Sequence, residues 1–242
     1  MNKLKTLLRN EVSGWKAWEV IWLSVALAII IALGIFGHDT AMGIVSSTTG
    51  LAYSILSGKG KLSAYLCGLI NATLYAIISY KAALYGETML NAIYYVPMMF
   101  VGFFTWAKHM NDDTKEVRKR KMKWSGRLIV VASIAAGTVA YGFILKALGD
   151  TMPFIDAFTT VASVVAMIVS VRMFVEQWVI WEVVNLVTVY MWLMAYLQGG
   201  ENLATLVMWA LYIVNGLVML VKWQREIRSN QALAKDKPQK EE

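Results

Sequence analysis

Eight apolar runs, most of them close to twenty residues long, divide this chain and leave no stretch large enough for a separate soluble domain. They are Ala17 to Phe36, Ala41 to Leu56, Leu62 to Tyr80, Met89 to Ala107, Leu128 to Leu148, Phe154 to Phe174, Trp178 to Leu197 and Leu203 to Trp223. A helix needs about 20 apolar residues to cross a hydrocarbon core of about 30 Å, so each run reads as a membrane span. The second is the shortest, because Ser46, Ser47, Thr48, Thr49 and Ser54 dilute it. Composition agrees, with 58% of the 242 residues hydrophobic and only 16% charged. The predicted fold class is all-α integral membrane, with eight transmembrane helices in a single domain. The first run is longer than a signal-peptide core and lacks a small-residue cleavage site, so it is expected to be a retained helix.

The basic residues fix an orientation. With eight spans and both termini in the cytoplasm, 21 of the 23 Lys and Arg fall on the inner side, and only Lys81 and Lys146 lie outside. That bias follows the positive-inside rule. The net charge of +7 is therefore assigned to contact with the anionic headgroups of the lipid bilayer, and nucleic-acid binding is excluded. Cys67 is the only cysteine and sits inside a span, where it forms no intramolecular disulfide.

Shifting the chain by 114 residues superposes Asn71 on Asn185, Gly86 on Gly200, Glu87 on Glu201, Gly102 on Gly216 and Lys108 on Lys222. Runs two to four then overlie runs six to eight. An even number of spans separates the copies, so the repeat is parallel, related by an axis along the membrane normal. The expected organisation is an extra N-terminal helix at 17–36, a three-helix repeat at 39–108, a solvated basic cytoplasmic loop at 109–127, a connecting helix at 128–148, a second three-helix repeat at 153–223 and a disordered tail at 229–242. The small residues Ala132, Ser133, Ala135, Ala136, Gly137 and Ala140 suit the connecting helix to close packing.

No enzyme constellation is present in the sequence. There is no Gly-rich phosphate loop, and His38 and His109 belong to opposite membrane faces, so no paired metal site forms. The serines of run two have neither His nor an intramembrane Lys as a base. No cofactor is called for. Polar and aromatic side chains inside the spans are the remaining candidates. In QWVIWEVVN, Trp178, Trp181, Glu182 and Asn185 fall at i, i+3, i+4 and i+7, preceded by Gln177, so indoles, a carboxylate and an amide share one helical face. Lipid does not tolerate such a face, which must look into protein or a water-filled cavity. Asn71 with Tyr75, Asn91 with Tyr94, Tyr95 and Met98, and Tyr212 with Asn215 form similar sets. Aromatic rings stack on flat heterocycles and carboxamides exchange paired hydrogen bonds, so the set suits a planar, polar, neutral or cationic small molecule. Asn71 and Asn185 each lie roughly 13 to 15 Å from the cytoplasmic end, near the midplane.

Ordinary roles compete with these. Asn71 or Asn215 either binds ligand or bonds a neighbouring helix. Trp15, Trp18, Trp22, Trp106, Trp124 and Trp223 read as interfacial anchors. Glu182 either pairs with Arg172, faces a cytoplasmic vestibule, touches ligand or carries a proton. Pro97 removes the helical donor of the Ile93 carbonyl, making either a structural kink or a hinge.

The segments YGETMLNAIYYVPMMFVGFFTW, Tyr85 to Trp106, and WVIWEVVN, Trp178 to Asn185, resemble those of the PnuC-type nicotinamide riboside transporter family. The resemblance runs from Trp15 to Trp223. It implies a SWEET-like fold of two three-helix bundles joined by a connecting helix, assembled as a homotrimer in the bacterial cytoplasmic (inner) membrane. It also implies facilitated diffusion of nicotinamide riboside, a vitamin B3 form, into the cell, where a cytoplasmic ribosylnicotinamide kinase traps it for pyridine nucleotide biosynthesis. The run from Ala17 to Phe36 is one helix more than the seven-span pattern contains. In this picture Trp178 or Trp181 stacks on the cationic pyridinium ring, while Asn185, Gln177 and Asn91 bond the carboxamide or ribose hydroxyls. Tyr94 or Tyr95 closes the outer side. The spans hold no buried Lys or Arg to neutralise a phosphate, so a phosphorylated nucleotide is expected to be refused. The alternatives are a transporter of thiamine, a deoxynucleoside or another vitamin on the same fold, and a scaffold or sensor without transport, in which Trp181 and Asn185 pack with no cavity beside them.

Overall fold

The computed structural model describes residues 10–81, 85–197 and 203–235, and these are helical apart from turns and two isolated β-bridges. The helices are α1 (Ala17–Phe36), α2 (Ala41–Lys59), α3 (Ser63–Lys81), α4 (Tyr85–Met89), α5 (Val96–Ala107), α6 (Trp124–Ala147), α7 (Pro153–Val171), α8 (Glu176–Leu197) and α9 (Leu203–Lys235). A π-helical turn, Leu90–Tyr95, joins α4 to α5. Each of the eight apolar runs thus falls on helix. Six described segments are long and apolar enough to cross a membrane: Ala17–Phe36, Ser63–Lys81, Glu87–Ala107, Trp124–Ala147, Pro153–Val171 and Val207–Ala232. Helix α2, diluted by serine and threonine, is not among these six.

Local chemistry sets the boundaries. Thr40 caps α2 by accepting from the Gly43 N–H at 3.1 Å, and Gly60, at φ 81, ends it in the left-handed region that only glycine enters freely. Glu19 reaches back to the Lys16 N–H at 2.9 Å at the start of α1. Pro153 opens α7 where its missing N–H costs nothing.

The residues cluster into two compact units, described one at a time. The first comprises the chain to Arg118 with Thr188–Asn215. In it α1 packs on α2, α2 on α3, and α3 on the π turn and α5. Its core is Ala26, Ile30, Leu51 and Ile55, flanked by Trp22, Leu27, Met208 and Tyr212. Gly102 of α5 leaves room for the Tyr65 ring, which also packs edge-on against Trp106 with centroids 5.0 Å apart. At the end of α2, the buried Lys59 ammonium bonds the buried carboxylates of Glu19 at 2.6 Å and Glu116 at 2.8 Å, and the carbonyl of the exposed Gly14 at 2.6 Å. Lys61 is equally buried and donates to the carbonyls of Asn10, Ser13 and Lys115. Two lysines are therefore enclosed, but between the second and third apolar runs rather than within a span, where the expectation of no buried cation applied. They lie at a helix end and are engaged by carboxylates and carbonyls.

These contacts also correct the solvated basic loop. Glu116 and Val117 are buried, and the Val117 N–H donates to the Gly60 carbonyl at 2.9 Å. A charged segment is held against the helices because Lys59 supplies the counter-charge that Glu116 needs once it leaves water.

The second unit comprises Lys119–Val187 and the chain from Gly216. Here α6 packs on α7, with Val161 filling the space above Gly137 and Phe154 that above Gly142. Of the small residues expected to pack closely, only Gly137 meets this contact; Ala132, Ser133, Ala135, Ala136 and Ala140 are exposed, as are most other side chains of α6. A parallel bridge pairs Arg120 with Phe174 beside the turn from α7 to α8. Lys119 pairs with Glu226 of α9 and its ammonium lies 5.7 Å from the centre of the Trp223 ring. Trp223 and, in the first unit, Trp106 are fully buried, so neither is the interfacial anchor expected, whereas Trp124 is exposed. The helix α9 continues through Ser229 to Lys235, so the tail expected to be disordered is helical that far, and residues 236–242 lie outside the described residues.

Candidate functional site

Helix α8 begins against a fixed point. The Glu176 carboxylate accepts from the Met122 N–H at 3.1 and 3.2 Å and from Arg127 at 2.7 and 3.0 Å. From that anchor the helix presents the predicted stripe. Gln177 is 1% exposed and its amide nitrogen donates to nothing among the described residues. Trp178 packs edge-on against Trp223, centroids 5.8 Å apart, and its indole N–H is likewise unused. Trp181, half-buried, donates from Nε1 to Ser170 Oγ of α7 at 3.2 Å, and Ser170 in turn donates to the Ala166 carbonyl at 2.8 Å.

Glu182 is 7% exposed, and neither carboxylate oxygen has a partner among the described residues. It lies against Gly216, whose missing side chain is what admits it. Arg172 is exposed and makes no ion pair with it, which removes the Glu182–Arg172 pairing. Asn185, one turn beyond Glu182, is 6% exposed. Buried polar groups in native proteins are almost always satisfied, because each orphan costs about 1–3 kcal/mol. Unspent donors and acceptors gathered on one helical face are what a polar solute needs to find.

In the first unit, α3 directs Asn71 across to α2, donating to the Ser46 carbonyl at 2.8 Å and to Ser46 Oγ at 3.3 Å. Gly50 permits this approach: a Cβ there would lie 2.8 Å from the Asn71 amide nitrogen and 2.9 Å from the Tyr212 hydroxyl. Asn71 and Tyr212 are thus brought together, while Tyr75 of α3 is exposed. Asn215 is fully buried, donating to Ser54 Oγ at 2.9 Å and accepting from Trp22 Nε1 at 3.1 Å. Both of its amide functions are used between helices, so Asn215 takes the neighbouring-helix role, and Trp22 is its partner rather than an interfacial anchor.

Asn91 lies on the π turn. Its side chain donates to the Glu87 carbonyl at 2.9 Å and its carbonyl accepts from the Val96 N–H, five residues on. The chain meets Pro97 by widening a turn, which shifts the register: Val96, not Tyr95, closes over Asn91. Tyr94 and Tyr95 are half-buried with their rings 5.4 Å apart. Ser46, Ser54 and Ser170 take part in all this and went unpredicted as partners. Their hydroxyls carry no signal of their own in sequence, since a span serine bonds its own helix as readily as a neighbour.

The chain is similar in sequence and in fold to known proteins. The profile of the nicotinamide mononucleotide transporter family matches residues 40–225. The chain is similar to the nicotinamide riboside transporter PnuC of Neisseria mucosa, 37% identical over 225 residues that cover 91% of this chain and 86% of the relative. It is similar to the protein of the same description from Haemophilus influenzae, 28% identical over 93% of this chain and 98% of that one. The crystal structure of the vitamin B3 transporter PnuC superposes with a TM-score of 0.80 at 36% identity, over 93% of this chain and 98% of that chain. Matched across most of its length in both sequence and structure, the chain belongs to the nicotinamide mononucleotide transporter family.

Proposed function

We propose that this protein imports nicotinamide riboside by facilitated diffusion, with alternating access and no coupled ion. The observation that carries the proposal is the stripe on α8, where Trp181 is pinned by Ser170 while the buried carboxylate of Glu182, beside the buried Asn185, is left without a partner among the described residues. An aromatic face, a carboxylate and a carboxamide match, in turn, the flat cationic ring, its charge and its amide. The relatives described above are named transporters of this solute, and none is named as an enzyme.

In the proposed arrangement the eight helices are two parallel three-helix repeats, 39–108 and 153–223, joined by α6 and preceded by α1. Two glycines equivalent in the 114-residue register support that register, because each makes room for a side chain of another helix: Gly102 for Tyr65, and Gly216 for Glu182. We place the basic segment and both termini in the cytoplasm, assemble the protein as a SWEET-like homotrimer in the inner membrane, and let a cytoplasmic kinase trap the solute. Trp181 and Asn185 hold the ligand, with Gln177, Asn91, Tyr94, Tyr95, Asn71, Tyr75 and Tyr212 as the further lining. Glu182 supplies negative charge, Trp178 shapes the exit, and Pro97 acts as hinge.

Uptake of labelled nicotinamide riboside into liposomes containing the purified protein tests this directly. Uptake in the absence of any proton or sodium gradient is expected. No uptake overturns the substrate, and uptake only with a gradient overturns uniport.

A further inference from the structure

A cavity of about 530 Å³ opens between the start of α6, the start of α8 and the C-terminal half of α9, and none of the stripe residues from Trp181 to Asn185 lines it. Its volume is within the roughly 300–1,000 Å³ of sites that take small molecules. The polar lining includes Lys121, Arg127, Glu176 and Arg228. Arg127 and Glu176 neutralise one another through the 2.7 Å ion pair. Lys121 and Arg228 have no ion-pair partner among the described residues and are exposed, so the mouth carries two uncompensated positive charges.

Apart from Gln224 and Gln231, the rest of the wall is apolar, with Val131, Val179 and Leu220 among its residues. Val131 lies four residues beyond Arg127 on α6, and Leu220 eight before Arg228 on α9, which places them about 6 and 12 Å further along the helices. Both helices include stretches apolar enough to span a membrane. The cleft thus runs from cations at a helix-end rim onto hydrocarbon-compatible walls within the spans. Neither a wholly polar nor a wholly apolar ligand satisfies both ends. Basic pockets between transmembrane helices recognise anionic headgroups, whose apolar tails then stay at the depth of lipid.

We propose that this cleft is a binding site for an anionic phospholipid, with the phosphate between Lys121 and Arg228 and one acyl chain along Val131, Val179 and Leu220. The site is separate from the solute stripe, and the proposal does not depend on which solute is carried. A lipid seated here bridges the connecting helix to the last helix, a contact provided by the membrane.

Native mass spectrometry of the full chain in detergent, with phosphatidylglycerol or phosphatidylcholine of identical acyl chains, reads the proposal. Each cation near the surface contributes about 1 kcal/mol to binding an anionic lipid, so the double variant Lys121→Gln/Arg228→Gln is expected to lose phosphatidylglycerol by roughly 30-fold and to leave phosphatidylcholine retention unchanged. Both residues are exposed, so the fold survives. As a second probe, Val179→Trp fills the apolar wall and is expected to displace the lipid with the rim intact. Equal retention of the two lipids, or retention unmoved by both variants, overturns the proposal. So does displacement of phosphatidylglycerol by inorganic phosphate at equal concentration, which would mark a site for the free anion. An oligomer that carries no lipid and that Val179→Trp dissociates would also overturn it, identifying a second copy of the chain as the occupant.

Discussion

The carboxylate of Glu182 lies so near Gly216 that a Cβ on that glycine would sit 1.7 Å from Oε1. The obstructing atom is the end of a flexible side chain, so Gly216→Ala is expected to leave the protein folded and to swing the carboxylate away. Nicotinamide riboside uptake should then fall by about tenfold, the loss of ~1.4 kcal/mol of interaction with the cation. A normal uptake rate with an unchanged thermal transition would show that Glu182 does not touch the solute.

Gly102→Ala should behave differently. There a Cβ would lie 2.0 Å from Cε1 of the Tyr65 ring, which is buried and held by Trp106 and Tyr53. A wedged ring cannot yield as a carboxylate can, so this substitution should cost about 1–3 kcal/mol of stability. Thermal unfolding of the two alanine variants side by side gives the comparison, and equal transitions would contradict it.

Trp181→Ala is expected to weaken nicotinamide riboside binding by about 30-fold, equivalent to a desolvated cation–π contact of about 2 kcal/mol. Trp181→Phe keeps a ring but gives up the bond to Ser170, so its loss should be nearer fivefold, about 1 kcal/mol. Isothermal titration distinguishes the two. Equal losses would mean that the indole matters only for its hydrogen bond.

How much of this was legible in the sequence depends on the distance over which each feature is determined. The helices follow from composition within a window of about twenty residues, since hydrocarbon demands satisfied backbone and apolar side chains. The stripe from Trp178 to Asn185 is legible for the same reason, all of its members sharing one helix. The bond from Trp22 to Asn215 joins residues 193 apart, and no local pattern in α1 announces it. Glu116 reads as a solvated charge until Lys59, far off in sequence, is found beside it. Pro97 advertises a lost donor, but neighbouring packing decides whether the chain kinks or widens a turn, and here a π turn precedes it.

Trp22→Phe should reveal what α1 contributes. It leaves the buried Asn215 carbonyl oxygen without its donor, at an expected cost of about 1–3 kcal/mol. Adding Asn215→Leu removes the stranded acceptor, so the double variant should be less destabilised than the sum of the two single ones. Strict additivity in thermal unfolding would mean that the 3.1 Å contact contributes nothing.

Lys59→Met should be the most damaging of these substitutions, because it removes the buried cation that faces both Glu19 and Glu116. Removing one partner of a buried ion pair costs about 3–5 kcal/mol. The thermal transition is expected to fall by roughly 10 °C, at a few degrees per kcal/mol for a chain of this size. A fall of a degree or two would show that water reaches the cluster.

The π turn from Leu90 to Tyr95 winds one residue more into its loop of backbone than an α turn would. Helical phase advances by about 100° per residue, so everything from Val96 onward is rotated by that amount relative to an uninterrupted helix begun at Tyr85. The segment behaves as a spare link in a chain. Passing that link along the helix would turn Tyr94 and Tyr95 about the axis without lengthening the span or breaking its hydrogen bonding at more than one point, and deleting a single residue there would lock the phase for good.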